Sequence, residues 1–304
     1  MCAPLATPLA SLLLILGSAP APPAAGGDDP LVAWYDGQAE VNGYRWRGTR
    51  YGELRTGEAV AIFVTETLGA KEHVKVDRPE SHRGDTLTVL KLNLVRDFQT
   101  GLYDYDTMCS VFLDVRDLRA LKQTFSSGEW CGHVFDEIDV RGRELRHVVR
   151  SYFQGESVDT ALPMRPGGLV GDDLLVWLRG LRGHVLAPGE ARRVPYLTDP
   201  FERRLRHLET RWGELALTRA AEVETVQVPA GSFAAVVYRL EASDGRRGLV
   251  RIEEALPHRL LSWSWERDGE VLDAGELTGS RRMKYWELHA EGQESLRKDL
   301  GLDG

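Results

Sequence analysis

In residues 86–98, "TLTVLKLNLVRDF", apolar residues recur at every second position: Leu90, Leu92 and Leu94 share one side while Lys91 and Asn93 take the other. A period of two puts one set of side chains on each face of an extended strand, and it cannot be laid along one stripe of a helix. The same period returns in residues 144–153 ("ELRHVVRSYF"), 232–241 ("SFAAVVYRLE") and 247–254 ("RGLVRIEE"). In residues 259–267, "RLLSWSWER", Leu261, Trp263 and Trp265 alternate with Ser262, Ser264 and Glu266. Turn signals at Asn42-Gly43, Thr56-Gly57, Arg141-Gly142, Asp244-Gly245 and Asp268-Gly269 predict short connections, hence antiparallel meanders rather than parallel units.

Roughly ten to twelve such strands are expected, too many for a flat open sheet. The expected fold is mainly β: one large curved antiparallel sheet, a half-barrel, with a few helices. Residues 59–66, "AVAIFVTE", are apolar on both sides, so part of the sheet is covered twice, and a helix lying in the concave face would do that. In residues 170–183, Leu174, Leu175, Leu178 and Leu181 fall at helical spacing, with Asp172 or Asp173 to cap and Gly183 to stop. Leu288, Leu296 and Leu300 predict a C-terminal helix over about residues 284–300, weakened by about 1 kcal/mol at Gly292. The domain reading is a signal peptide at 1–26 and a single β-rich domain at 27–304. Within it lie strand groups at about 32–155 and 190–283, a connection and helix at about 160–185, and the C-terminal helix.

The N-terminal assignment rests on the short apolar run "LASLLLIL" at residues 9–16, followed by small and proline-rich sequence. That run is too short for a permanent span and has the form of a cleaved secretory signal, with the cut expected near residues 24–26. Periplasmic or secreted location follows. The balance of 38 Lys and Arg against 46 Asp and Glu gives a formal charge of −8 with both signs interspersed, which speaks against nucleic-acid binding.

"SGEWCGHV", residues 127–134, has the Trp-Cys-Gly opening of a thioredoxin-type site, but the position three after Cys131 is Val134, so no dithiol pair exists. Cys131 and His133 start about 7 Å apart along a strand and are weak candidates for a thiol dyad or part of a metal site. The favoured reading is a strand with Trp130 and Val134 on one face and Cys131, His133 and Phe135 on the other. If residues 120–125 form an intervening strand, Cys109 and Cys131 are free thiols; if 114–127 is a loop, a disulfide is open to them. Asp104 and Asp106 share a strand face, and Asp136 and Glu137 follow in "FDEID". With His133 they define the alternative of a secreted hydrolase with an acidic site. Trp130, Trp177, Leu261, Trp263 and Trp265 would line a pocket for an apolar ligand if the curved sheet presents them inward, or be core if helices fill the concavity. No metal site or cofactor motif is expected.

The phrases "RYGELRTGEAVAIFVTE", "VLKLNLVRDFQTGLYDYDTMCSVF" and "LKQTFSSGEWCGHVF" come first in the chain. With "VPAGSFAAVVYRLEASDGRRG", "ALPHRLLSW" and "LTGSRRMKYWELHAEG", they resemble a group of uncharacterised secreted bacterial proteins commonly labelled septum formation inhibitor Maf. The Ser-x-Ser-Pro-Arg-Arg signature of the cytoplasmic Maf nucleotide pyrophosphatases does not occur in the chain. The C-terminal phrases are also similar to periplasmic proteins whose sheet is like the lipoprotein-carrier fold, an incomplete β-barrel closed by helices. That resemblance implies an apolar cavity for acyl chains, by analogy of fold alone. The expected function is therefore a non-enzymatic periplasmic or secreted protein binding an apolar small molecule or lipid. The alternatives are the hydrolase and a structural or interaction protein of the envelope with a partner there.

Overall fold

The computed structural model describes residues 31–302; the expected signal peptide lies outside them. Strands β1 (Ala39–Arg50), β2 (Glu53–Gly69), β3 (Thr86–Thr100), β4 (Tyr103–Asp114), β5 (Ala120–Glu129), β6 (Gly132–Arg141), β7 (Glu144–Ser151) and β8 (Val158–Pro163) form a first meander. A connecting region holds β9 (Leu169–Val170), helix α1 (Asp173–Leu178), β10 (Ala191–Leu197) and helix α2 (Pro200–Arg206). A second meander contains β11 (Trp212–Arg219), β12 (Glu224–Val228), β13 (Gly231–Ala242), β14 (Arg247–Glu253), β15 (Leu260–Arg267) and β16 (Glu270–Met283).

All sixteen strands belong to one sheet, in the order β8-β7-β6-β5-β4-β3-β2-β1-β16-β15-β14-β13-β11-β10-β9, with β12 paired to β13. The two meanders join where β1 lies antiparallel to β16. The only parallel pair among the described residues is β9 with β10. The protein is thus mainly β, with a large open, antiparallel-dominated sheet and few helices. No described helix is long and apolar enough to cross a membrane.

Alternation gives the sheet an inner face, which carries the connecting region, and an outer face. The inner face of the first meander presents Tyr44, Trp46, Phe63, Leu90, Leu92, Leu94, Tyr105, Cys109 and Phe125, all essentially buried. Each fully buried aliphatic side chain of this set contributes about 1.5–3 kcal/mol. Above them pack Leu174, Leu175, Val176 and Leu178 of α1 and Phe201 and Leu205 of α2. Arg179, just after α1, is bound to Glu40 at 2.8 Å and donates to the carbonyls of Pro257 and His258. Two contacts join parts of the chain far apart in the sheet order. The Asp172 amide donates to Gln123 Oε1 on β5 (3.2 Å), and the Trp212 indole on β11 donates to the Pro163 carbonyl on β8 (2.8 Å).

Several expectations change. Asn42-Gly43 and Thr56-Gly57 are not turns; they lie inside β1 and β2, and the chain reverses at Tyr51-Gly52 instead. Gly43 is required for close approach, since a β-carbon there would sit 2.3 Å from the Leu300 carbonyl oxygen. The helix expected over 170–183 spans only Asp173–Leu178, because Gly180 already takes a left-handed conformation at φ 64°. The expected C-terminal helix is two 3₁₀ pieces, Tyr285–Glu287 and Gln293–Leu300, separated by Gly292 at φ 90°. The second piece straps the outer face, where Leu300 and Leu302 cover Val41 and Val64 and Thr278 Oγ1 donates to the Leu300 carbonyl.

Candidate functional site

Most residues singled out in the sequence are not brought together. Trp130 and Cys131 are not on a strand: they form the two-residue turn between β5 and β6, with Glu129 opposite Gly132. Both are exposed, and His133 and Phe135 point outward from β6. Cys109 is buried on the inner face, β5 intervenes, and both thiols are free. Burial, reinforced by neighbouring Asp172, pushes the Cys109 thiol well above its ordinary range. Maleimide is therefore expected to modify Cys131 in the native protein and Cys109 only after unfolding, read by mass spectrometry of the labelled peptides. Prompt native labelling of Cys109 would contradict this packing.

Asp104 and Asp106 lie on the outer face, where Asp106 opposes Asp97. Partial burial, with Asp106 and Asp104 adding to it, raises the Asp97 carboxyl. Glu137 also faces outward and pairs with Lys122 at 2.7 Å, whereas Asp136 faces inward and is buried. The acids named for a hydrolase therefore do not share a cleft. Leu261, Trp263 and Trp265 are core residues at 0%, 2% and 5% exposure, and Trp177 packs half-buried against the same core. The middle of the inner face is filled.

Space remains at one flank. Between the inner face of β5–β8 and α2 with residues 207–210 lies a cleft of about 430 Å³, within the size range of small-ligand sites. Its sheet side carries Phe125, Val134, Val149, Val158 and Leu162, interrupted by Asp136, His147 and Thr160 on the same face, and exposed Gly155, Leu208 and Glu209 border it. The wall is built by α2. Asp199 caps that helix by accepting from the Glu202 amide (2.8 Å), Pro200 opens it, and His207 ends it in a left-handed conformation at φ 54°.

Three polar pairs line this wall. Asp136 accepts from Arg203 Nη2 (2.7 Å) and lies 3.1 Å from His147 Nε2. Burial by itself would raise that carboxyl, but Arg203 and His147 hold it below the ordinary carboxylate range. Arg204 pairs with Glu129 and lies over the Phe153 ring at 4.2 Å. His207 Nδ1 is 2.6 Å from Glu156 Oε1; burial of Glu156 is outweighed by Ser151 and His207, so its carboxyl is lowered.

The arrangement lacks what nucleophilic catalysis needs. A base must use one ring nitrogen for its orienting carboxylate and the other for the nucleophile. Here the hydroxyl beside His147, Thr210 Oγ1, is 3.5 Å from Nε2, the nitrogen already facing Asp136. His147 Nδ1 is buried with no hydrogen-bond partner. No group of three or more His, Cys, Asp or Glu positioned to hold a metal occurs among the described residues.

His147 and Arg203 were not found from the sequence. His147 is eleven positions from Asp136 and reaches it diagonally across β6 and β7, a proximity no local motif encodes. For α2 a signal was present: Asp199-Pro200 with Glu202 reads as a helix start, and Phe201 and Leu205 are four apart. No protein-family model, no curated protein and no solved structure matches the chain.

Proposed function

We propose that the protein is a non-enzymatic binding module of the periplasm or the secreted space that takes an uncharged, lipid-like ligand in the flank cleft. The observation that carries this reading is the composition of that cleft: apolar side chains, Phe125, Val134, Val149, Val158 and Leu162, around charges paired with one another at Asp136–Arg203, Glu129–Arg204 and Glu156–His207. An anionic ligand would compete with Asp136, Glu129 and Glu156 for these cations, whereas an acyl or alkyl chain need only displace water from the apolar side chains. A hydroxyl end can donate to His147 Nδ1, which is buried and has no partner in the protein. In this reading the sheet curls as a half-barrel similar to the lipoprotein-carrier fold. The contacts between β8 and β11 and between β5 and the segment before α1 favour that curvature. The ligand then sits at the edge of the concavity rather than at its helix-filled centre.

Titration with dodecanol, followed by calorimetry, is expected to give saturable one-to-one binding tighter than that of dodecanoate. Val149→Trp, which places an indole on the sheet side of the cleft, is expected to weaken it by about tenfold or more, given that ~1.4 kcal/mol is a factor of ten. Unaltered affinity in a Val149→Trp protein with unaltered melting would remove the cleft as the site.

A further inference from the structure

Four alternate hairpins of the first meander, β1–β2, β3–β4, β5–β6 and β7–β8, turn at the same end of the sheet. The register sets this: Arg50 faces Glu53, Thr100 faces Tyr103, Glu129 faces Gly132 and Val149 faces Val158. Each tip projects one large apolar side chain into solvent: Tyr51 (57% exposed), Leu102 (76%), Trp130 (67%) and Tyr152 (73%). Neighbouring tips are two strand spacings apart, roughly 10 Å, so the four form a row along the sheet end.

Other turns expose a large apolar residue at Val74, Val223 and Leu256. At the opposite end of the same strands the links carry exposed Lys71, Arg116, Asp117 and Arg143, and Val74 is the one exposed large apolar residue there among the described residues. On the near end past β1, the β13–β14 and β15–β16 tips carry Asp244-Gly245 and Asp268-Gly269. One half of one end is thus apolar, and Tyr51 and Tyr152 in it are held in place. The Tyr51 hydroxyl is 2.8 Å from that of Tyr105 and 3.2 Å from that of Tyr103. The Tyr152 ring covers Gly132, where a β-carbon would meet it at 2.5 Å.

We propose that this row seats the protein on the interfacial zone of a phospholipid bilayer. A protein partner wants a contiguous patch whose anchors fill pockets; these are separated projections, each able to enter a soft surface on its own. Trp and Tyr are the residues whose rings, apolar with one polar atom, settle at the level of lipid headgroups, while Leu102 enters deeper. The tips Tyr51-Gly52, Gly101-Leu102 and Trp130-Cys131 contain no charged residue, and the one charge in the tip at 152–157, Glu156, is paired with His207. Attachment therefore draws on apolar burial rather than on anionic lipid. The cleft's exposed border, at Gly155 and Leu208, lies at this same end, but the row carries the proposal without it.

Cys131 sits within the row and supplies the probe. In the full chain carrying Cys2→Ser, a nitrobenzoxadiazole label on Cys131 is expected to brighten and shift to the blue on addition of phosphatidylcholine vesicles. The response should persist in about 0.5 M salt, where charge attraction is screened to within a few Å. The triple variant Leu102→Asp, Trp130→Asp, Tyr152→Asp is expected to lose vesicle co-sedimentation by about tenfold or more with unchanged thermal melting, since none of the three is buried. Val149→Trp should dock normally, which separates failure of ligand uptake from failure of docking. A silent label with vesicles, binding that needs anionic lipid and vanishes in salt, or full retention by the triple variant overturns the proposal. Docking to a protein partner with vesicles inert does the same.

Discussion

Asp273→Ala is expected to destabilise the protein by about 3–5 kcal/mol, the range for removing one partner of a buried ion pair. Asp273, on β16, accepts four hydrogen bonds from three other strands, the adjacent β1 and β15 and the more distant β3. Trp46 Nε1 on β1 (2.6 Å) and Arg96 Nε on β3 (3.1 Å) reach one oxygen; Arg96 Nη2 (2.8 Å) and Trp263 Nε1 on β15 (2.8 Å) reach the other. Arg96 is 1% exposed, and its Nη1 already has no partner. Deleting the carboxylate would leave a buried cation and two indole donors unpaired at once, each of the latter costing about 1–3 kcal/mol in its own right. Replacing both charges, Arg96→Met with Asp273→Ala, is expected to recover part of the loss, because a buried pair exchanged for apolar groups can be near neutral. Denaturant unfolding of the two variants checks this; a loss below about 1 kcal/mol for Asp273→Ala would show that the pair holds nothing together. The effect should reach the cleft as well. The Arg96 guanidinium lies 4.4 Å from the Phe201 ring of α2, and Trp46 and Phe98 pack on the same ring, so the clamp seats the helix that supplies the cleft wall.

The same clamp shows what the sequence could and could not disclose. Alternation in "RLLSWSWER" placed Trp263 and Trp265 on one buried face, and that is where they are. Periodicity says which face a residue takes, but not what it meets there, and so pocket and core stayed equivalent until α1 and α2 were seen to fill the centre. Alternation also runs straight through a two-residue hairpin, which is why Trp130 and Cys131 read as strand although they turn. β8, a strand with little apolar contrast and Pro163 at its end, reads as a connection, and the sheet has more strands than expected. The Asp136–His147–Arg203 wall was legible only at Asp136. An arginine that serves as core, as Arg203 does at 4% exposure, has the same letter as one on a solvated face, and only the remote strand it meets tells them apart.

Lowering the pH from 8 to about 5.5 is expected to stabilise the fold, and Asp173→Asn to remove much of that dependence. The groups responsible sit on or beside the two inner helices. Burial pushes Asp173 up to about 7, with the Val170 and Leu174 amides opposing it and Asp172 adding to it. Burial likewise takes Asp172 to about 6, Arg96 opposing and Asp199 adding. It takes Glu202 to about 7, Asp199 adding and Arg246 opposing. For a carboxyl raised in the folded state, the native protein holds its proton more tightly than the unfolded chain. Stability therefore falls as pH rises from the ordinary carboxyl range through about 6–7, and is regained on acidification. Asp136 and Glu156, held low by their partners, act in the opposite sense, but only at more acid pH, as their pairs are lost. The maximum should then lie near pH 5. Asp173 has no cation to offset its burial, and an Asn oxygen can accept from the same amides, so the substitution removes the charge without removing the acceptor. With that carboxyl at about 7 in the folded protein, the upper bound is on the order of 4 kcal/mol at pH 8, and the gain should shrink toward pH 5.5. Melting temperatures of the two proteins across this window decide it, since equal slopes would mean that α1 is not held by a carboxyl that prefers its proton.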